Sequence, residues 1–138
     1  MDYNFEWFDR EIGAPTVTIA EYGLIFNLSA IMTLGEPEGI MLGFDSEQLM
    51  LAVRPVKGEE APNNVTFPFK ERINRGFARI NTKDFVRYIK QYFPLPFTKS
   101  IRCVARWDED NNAMLVDLTQ AWEDIDLEET VSPPGLFT

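Results

Sequence analysis

The pattern of hydrophobic positions between residues 16 and 56 predicts two strands, then a helix, then two more strands. The apolar residues at 17 and 19 and the short apolar runs at 24–26, 40–44 and 49–53 predict strands. The three-residue spacing of Leu28, Ile31 and Leu34 predicts a short helix. Asn27 is a typical N-cap and Gly35 a typical helix end. The predicted elements, in chain order, are strands at 17–19 and 24–26, a helix at 28–34, and strands at 40–44 and 49–53.

The same order of elements returns between residues 69 and 118. Ile80 ends a predicted strand, Asn81 is the predicted N-cap, and a helical spacing runs from Phe85 to Phe93 before Pro94. Alternating residues at 101–107 and an apolar run at 114–118 predict a closing hairpin. We therefore expect an α+β domain of two similar β-α-β-β halves, about 16–56 and 69–118, with short strands and two short helices. Two explanations of the repetition remain open: an ancient duplication, or chance recurrence of the common β-α-β-β order of elements.

Residues 119–138 differ in composition from the rest of the chain. The segment carries five acidic residues and no basic one, and it ends near Ser132-Pro133-Pro134-Gly135. This composition predicts a flexible acidic tail after a single domain at 1–118. Such a tail either lies over a basic part of the protein or only keeps it in solution.

Composition narrows the class of protein. The chain has 138 residues, 45% hydrophobic and 25% charged, which is typical of one globular domain. Its apolar runs are far shorter than the roughly 20 residues needed to cross a bilayer, and its first residues are acidic, unlike a secretory signal. Cys103 is the only cysteine, so no intrachain disulfide forms. These features predict a cytoplasmic protein with no membrane partner.

Histidine is absent, which removes the commonest general base and the commonest transition-metal ligand. No Ser/His or Cys/His catalytic pair exists within the chain, and we expect a protein that is not an enzyme and has no cofactor. The acidic cluster at 108–110, followed by Asn111-Asn112, lacks the spacing of a calcium loop and is better explained by a hairpin turn. Cys103 is typical of a small core residue. We assign no catalytic or metal-binding residue.

Charge is distributed unevenly. The net charge is −9, yet residues 70–106 contain ten basic residues against Glu71 and Asp84, a local charge of +8. The remainder of the chain carries −17. Solvated faces that serve only solubility explain such runs most often. The alternative is a patch that binds phosphates, for which Arg72, Arg75 and Arg79 are the candidates.

One stretch of the chain resembles a known type of domain. Residues 24–55 contain Leu34-Gly35, the turn Glu36-Pro37-Glu38-Gly39 and the closing Val53-Arg54-Pro55, and they resemble a unit of the AbrB-like swapped-hairpin domains. Two such units in one chain are similar to the MraZ family of transcriptional regulators, which implies binding of DNA. The first half has Tyr22-Gly23-Leu24 where the family has Gly-Arg, and only the second half offers comparable basic chemistry, at Arg75-Gly76 and Arg79.

Two functional classes follow. The first is a binding or interaction module that associates with its own copy or another protein, because the strand containing Ile40, Leu42 and Phe44 is apolar on both faces and needs cover on both. The alternative is a regulator-like nucleic-acid binder that uses residues 70–106, with Phe77 or Tyr88 stacking on bases. Phe77 as a core residue and Tyr88 as part of an ordinary helix face are the plainer explanations.

Overall fold

The computed structural model describes residues 2–5, 7, 13–57, 65–93, 100–120 and 122–123. These residues form ten strands and two α-helices, joined in part by short 3-10 turns at Lys70–Arg72 and Leu118–Gln120. The elements in chain order are β1 (Thr16–Ala20), β2 (Gly23–Phe26), α1 (Leu28–Leu34), β3 (Gly39–Asp45), β4 (Met50–Val56), β5 (Phe67–Pro68), β6 (Ile73–Asn74), β7 (Phe77–Asn81), α2 (Lys83–Lys90), β8 (Ile101–Asp108), β9 (Ala113–Asp117) and β10 (Trp122–Glu123).

The strands make one curled antiparallel sheet in the order β5-β3-β4-β9-β8-β1-β2-β7-β6, with β10 also paired to β8. Strand β8 joins the two parts of this sheet. Its first half, from Ile101 to Val104, pairs with β1, and its second half, from Ala105 to Asp108, pairs with β9. One face of the curled sheet encloses the core.

The fold class predicted from the sequence is wrong. The protein is mostly β, and its strands do not form two β-α-β-β halves: β1 pairs with β8, β2 with β7, and β4 with β9. A lone two-stranded hairpin leaves its edges unpaired and is marginally stable in water. Each hairpin here pairs with a hairpin from the other part of the chain, which satisfies those edges. The helices, of seven and eight residues, are minor elements.

Local predictions were more accurate. Helix α1 spans Leu28–Leu34 as predicted, because the Asn27 Oδ1 accepts a hydrogen bond from the Ala30 N–H at 2.9 Å and Gly35 ends the helix at φ 83°. The second helix differs. Asn81 is the last residue of β7, and Thr82 is the N-cap without a side-chain cap hydrogen bond. Strand β4 also continues through Pro55 to Val56, beyond its predicted end at residue 53.

The core is continuous across the sheet and both helices. Phe26 of β2 and Phe69, which precedes the 3-10 turn at Lys70–Arg72, are both fully buried and meet edge to face at 5.2 Å. Ile31 of α1 and Ile89 of α2 cover the same cluster. Burial of these side chains stabilises the fold by about 1.5–3 kcal/mol each. None of the described helices is long and apolar enough to span a membrane.

The strand predicted to self-associate is β3. Ile40 is fully buried in the core of its own chain, while Leu42 and Phe44 are half-buried and pack against that core. The chain therefore supplies much of the cover that the sequence led us to expect from a second copy. Self-association through these residues stays a prediction.

The predicted flexible tail begins with ordered residues. Residues 118–120 form a 3-10 turn, and Trp122–Glu123 form β10 on the first residues of β8. Residue 121 and residues 124–138 lie outside the described part of the chain, as do residues 58–64.

Candidate functional site

Strand β7 presents a polar and aromatic row to solvent. Ala78 and Ile80 are buried, and the alternate residues Phe77, Arg79 and Asn81 are exposed. Successive side chains of a strand point to opposite faces, so these three share the outer face. Phe77 is 54% exposed and is not a core residue. The explanation that Phe77 is only a core residue is therefore excluded.

A tight turn places an arginine beside this row. Asn74 of β6 pairs with Phe77 of β7, which leaves Arg75 and Gly76 as a two-residue loop. Both loop residues have positive φ, 57° and 83°, as a type I′ hairpin turn requires. Among the described residues, no hydrogen bond or ion pair holds the guanidinium group of Arg75 or of Arg72.

The sheet aligns further residues with Arg79. Thr18 of β1 pairs with Arg102 of β8 on one side and with Ile25 of β2 on the other, and Ile25 pairs with Arg79. Across the four strands β8, β1, β2 and β7, these residues make a single row from Arg102 to Arg79, and on its other side Arg102 pairs with Trp122 of β10. At about 4.8 Å per strand, the two arginines lie about 14 Å apart along the sheet.

These residues line one groove of about 680 Å³, which we call the basic groove. Its charged residues are Arg72, Arg75, Arg79 and Arg102, with Glu71 as the opposing carboxylate. The local charge is thus strongly positive although the whole chain carries −9. At an ionic strength of 0.1 M the Debye length is about 10 Å, shorter than the groove, so the groove's own charges dominate its interaction with a bound anion.

Arg79 is held in place by a neighbouring tyrosine. Its Nη1 donates a hydrogen bond to the Tyr22 hydroxyl at 3.0 Å, and its guanidinium carbon lies 5.3 Å from the centre of the Tyr22 ring. A guanidinium has five N–H donors in a fixed plane. The contact with Tyr22 uses one of them and leaves the others for an anion, with less loss of side-chain entropy on binding.

The three arginines predicted to bind anions are thus brought together, but the whole basic segment is not. Lys83, Arg87 and Lys90 lie on α2 and do not line the groove, and Arg87 pairs with Asp84 at 3.6 Å. Arg106 lies farther along β8, 3.9 Å from Asp108. Lys99 lies outside the described residues. The segment 70–106 therefore divides among several surfaces.

The other sequence candidates have structural explanations. Asp108 accepts hydrogen bonds from the backbone and side chain of Asn111, at 3.0 and 2.6 Å, and so stabilises the β8–β9 turn. Cys103 is fully buried in β8, and its burial, with Asp117 nearby, raises the pKa of the thiol to about 12. Such a thiol stays protonated at neutral pH and is a poor nucleophile. Among the described side chains, no group of three or more Cys, Asp or Glu residues is placed to hold a metal ion.

Sequence reasoning missed Arg102, Thr18 and Tyr22 as parts of the site. The alternation along β8 did place Arg102 on an exposed face, but Thr18, its partner on β1, lies more than 80 positions away in the sequence. No local pattern reveals that pairing.

Comparisons of the chain with protein-family models, with curated proteins and with solved structures find no match. The resemblance to AbrB-like and MraZ domains stays a prediction.

Proposed function

We propose that the protein binds single-stranded nucleic acid through the basic groove and is not an enzyme. The observation that carries the proposal is that four arginines and an exposed phenylalanine line one groove. Arginine side chains contact phosphates, and an aromatic ring on a sheet surface stacks on bases of any sequence. The cytoplasmic location predicted from the sequence is part of this proposal.

The dimensions of the groove favour a single strand. A row of about 14 Å accommodates about four stacked nucleotides at 3.4 Å each. Phe77 stands beside the arginines, where it can stack on a base that is not paired, whereas the bases of a duplex are already stacked. We therefore expect a strand of about ten nucleotides to bind more tightly than a duplex of the same length.

Binding is tested by fluorescence anisotropy with a labelled thymidine oligonucleotide at several salt concentrations. If four arginines neutralise phosphates, log K falls with log salt at a slope of about −3, which is a loss of about 150-fold between about 50 and about 300 mM. Phe77→Ala should weaken binding at least fivefold, because loss of the stacking between a base and an aromatic ring lowers the binding free energy by about 1–3 kcal/mol. Phe77→Leu should weaken binding nearly as much, because leucine has no π-face.

Arg87→Gln is the matched control. It removes the same charge as Arg79→Gln, but from α2, outside the groove. Arg79→Gln should lower the salt slope by about 0.7, and Arg87→Gln should leave it unchanged. Absence of binding by the wild-type protein at low salt, or equal effects of the two substitutions, would overturn the proposal.

A further inference from the structure

A second surface of the protein has an apolar strip in the middle of a solvent-facing sheet, bordered by the charged residues Asp45, Arg54, Arg106 and Asp108. On the outer face of β3, β4 and β9, the neighbouring residues Gly43, Ala52 and Leu115 form one row across the strands. Met41 and Met50 flank that row on the same face. A hollow of about 560 Å³ lies over these residues, and we call it the β3 groove. It lies on a different part of the sheet from the basic groove.

The β3 groove borders an open sheet edge. Strand β3 pairs with β4 along its full length, but β5 covers only Gly39 and Ile40 on its other side. The remaining five residues, Met41–Asp45, have no strand partner on that side among the described residues. An open edge beside an apolar surface is a template for an added strand.

The chain also carries an exposed aromatic segment. Tyr3, Phe5 and Trp7, which we call the aromatic arm, are 71%, 63% and 82% exposed. Their rings follow one another at 5.4 and 5.5 Å, so all three lie on one side of the segment. Alternate residues share a face in a strand, and large exposed apolar groups in a row mark an interaction site.

We propose that the aromatic arm of a second copy lies along β3 and places its rings over the β3 groove. The five residues from Tyr3 to residue 7 match the five unpaired residues of β3 in length. Each aromatic ring buries about 150 Å² or more of surface area, so the six rings of two arms bury about 900 Å². The surface of the two covered grooves raises the total buried area above the roughly 1,000 Å² expected of a specific interface. The exchange is reciprocal and closes at two copies.

Light scattering after size exclusion, without nucleic acid, tests the dimer. We expect twice the chain mass of 15.9 kDa over a concentration series. Trp7→Ser removes the most exposed ring, and Gly43→Glu fills the groove at a position where an added Cβ has room, 3.9 Å from the nearest side-chain atom. Each variant alone should be monomeric. Met32→Ser is the control, since Met32 is exposed on α1 outside the groove, and it should remain dimeric.

Mixing the two variants distinguishes exchange between copies from folding of the arm onto its own chain. The Trp7→Ser copy has an intact groove, and the Gly43→Glu copy has an intact arm, so one of the two arm contacts forms only in the mixture. A heterodimer detected in the mixture supports exchange. A monomeric wild-type protein, a dimer unaffected by Trp7→Ser, or no association in the mixture would overturn it.

Discussion

The turn at Arg75 offers a test in which stability and binding change in opposite directions. Arg75 adopts φ 57° and Gly76 adopts φ 83° in the two-residue loop between β6 and β7. Type I′ turns strongly prefer Asn-Gly, because asparagine tolerates the left-handed conformation that costs other L-residues roughly 1–2 kcal/mol. An arginine at this position therefore carries a conformational cost, which a role in binding would explain.

Arg75→Asn should stabilise the fold and weaken binding. Relief of about 0.5–1 kcal/mol of turn strain in a chain of 138 residues raises Tm by about 2–3 °C. Loss of one phosphate contact lowers affinity for the oligonucleotide about eightfold at about 50 mM salt and about twofold at about 300 mM. Calorimetry and anisotropy on the same preparation measure the two effects.

Two controls make the result decisive. Arg75→Lys keeps the charge and the strained turn, so its Tm and its salt slope should stay close to those of the wild-type protein. Arg87→Asn removes a charge from α2 and should change neither the turn nor the salt slope. The reasoning is refuted if Arg75→Asn lowers Tm, or if it leaves the salt slope at the wild-type value.

Three further tests concern the stability of the fold. Gly23→Ala should destabilise by about 3 kcal/mol or more in urea unfolding, because its Cβ would meet the Ile80 carbonyl oxygen. Gly43→Ala should be neutral or slightly stabilising, because its Cβ would make only an ordinary contact, 3.9 Å from the Ala52 Cβ. Equal effects would contradict this packing. Asn27→Ala should cost about 1–2 kcal/mol, since the Asn27 Oδ1 accepts from two backbone N–H groups at 2.9 and 3.0 Å, and Asn27→Asp should recover most of it. The folded-state pKa of the Cys103 thiol is raised from 9.0 to about 12, so its contribution to stability is complete below pH 9 and is lost by roughly 1 kcal/mol per pH unit between 9 and 12. The difference in the free energy of unfolding between wild type and Cys103→Ala, measured by urea melts, should therefore be smaller at pH 10 than at pH 8 by about that amount. The same difference at both pH values would contradict this expectation.

Much of the local structure was predictable from the sequence, because its causes are local. The side chain of Asn27 and the conformation of Gly35 bound α1 through contacts within a few residues. Alternation likewise predicted that Arg102 lies on the exposed face of β8. Helix caps, tight turns and strand faces depend on neighbouring residues and can be read before the fold is known.

The tertiary structure alone decided how the strands pair and therefore what the protein presents to a ligand. The pairings of β1 with β8 and of β2 with β7 bring Arg102 and Arg79 to the ends of one row, although Thr18 and Ile25 between them come from the start of the chain. The alternation of apolar and polar residues along its strands would allow each hairpin to pair with several others. Only the joint burial of one sheet face fixed the partners and the register, because a slip of one residue would turn every core side chain to solvent.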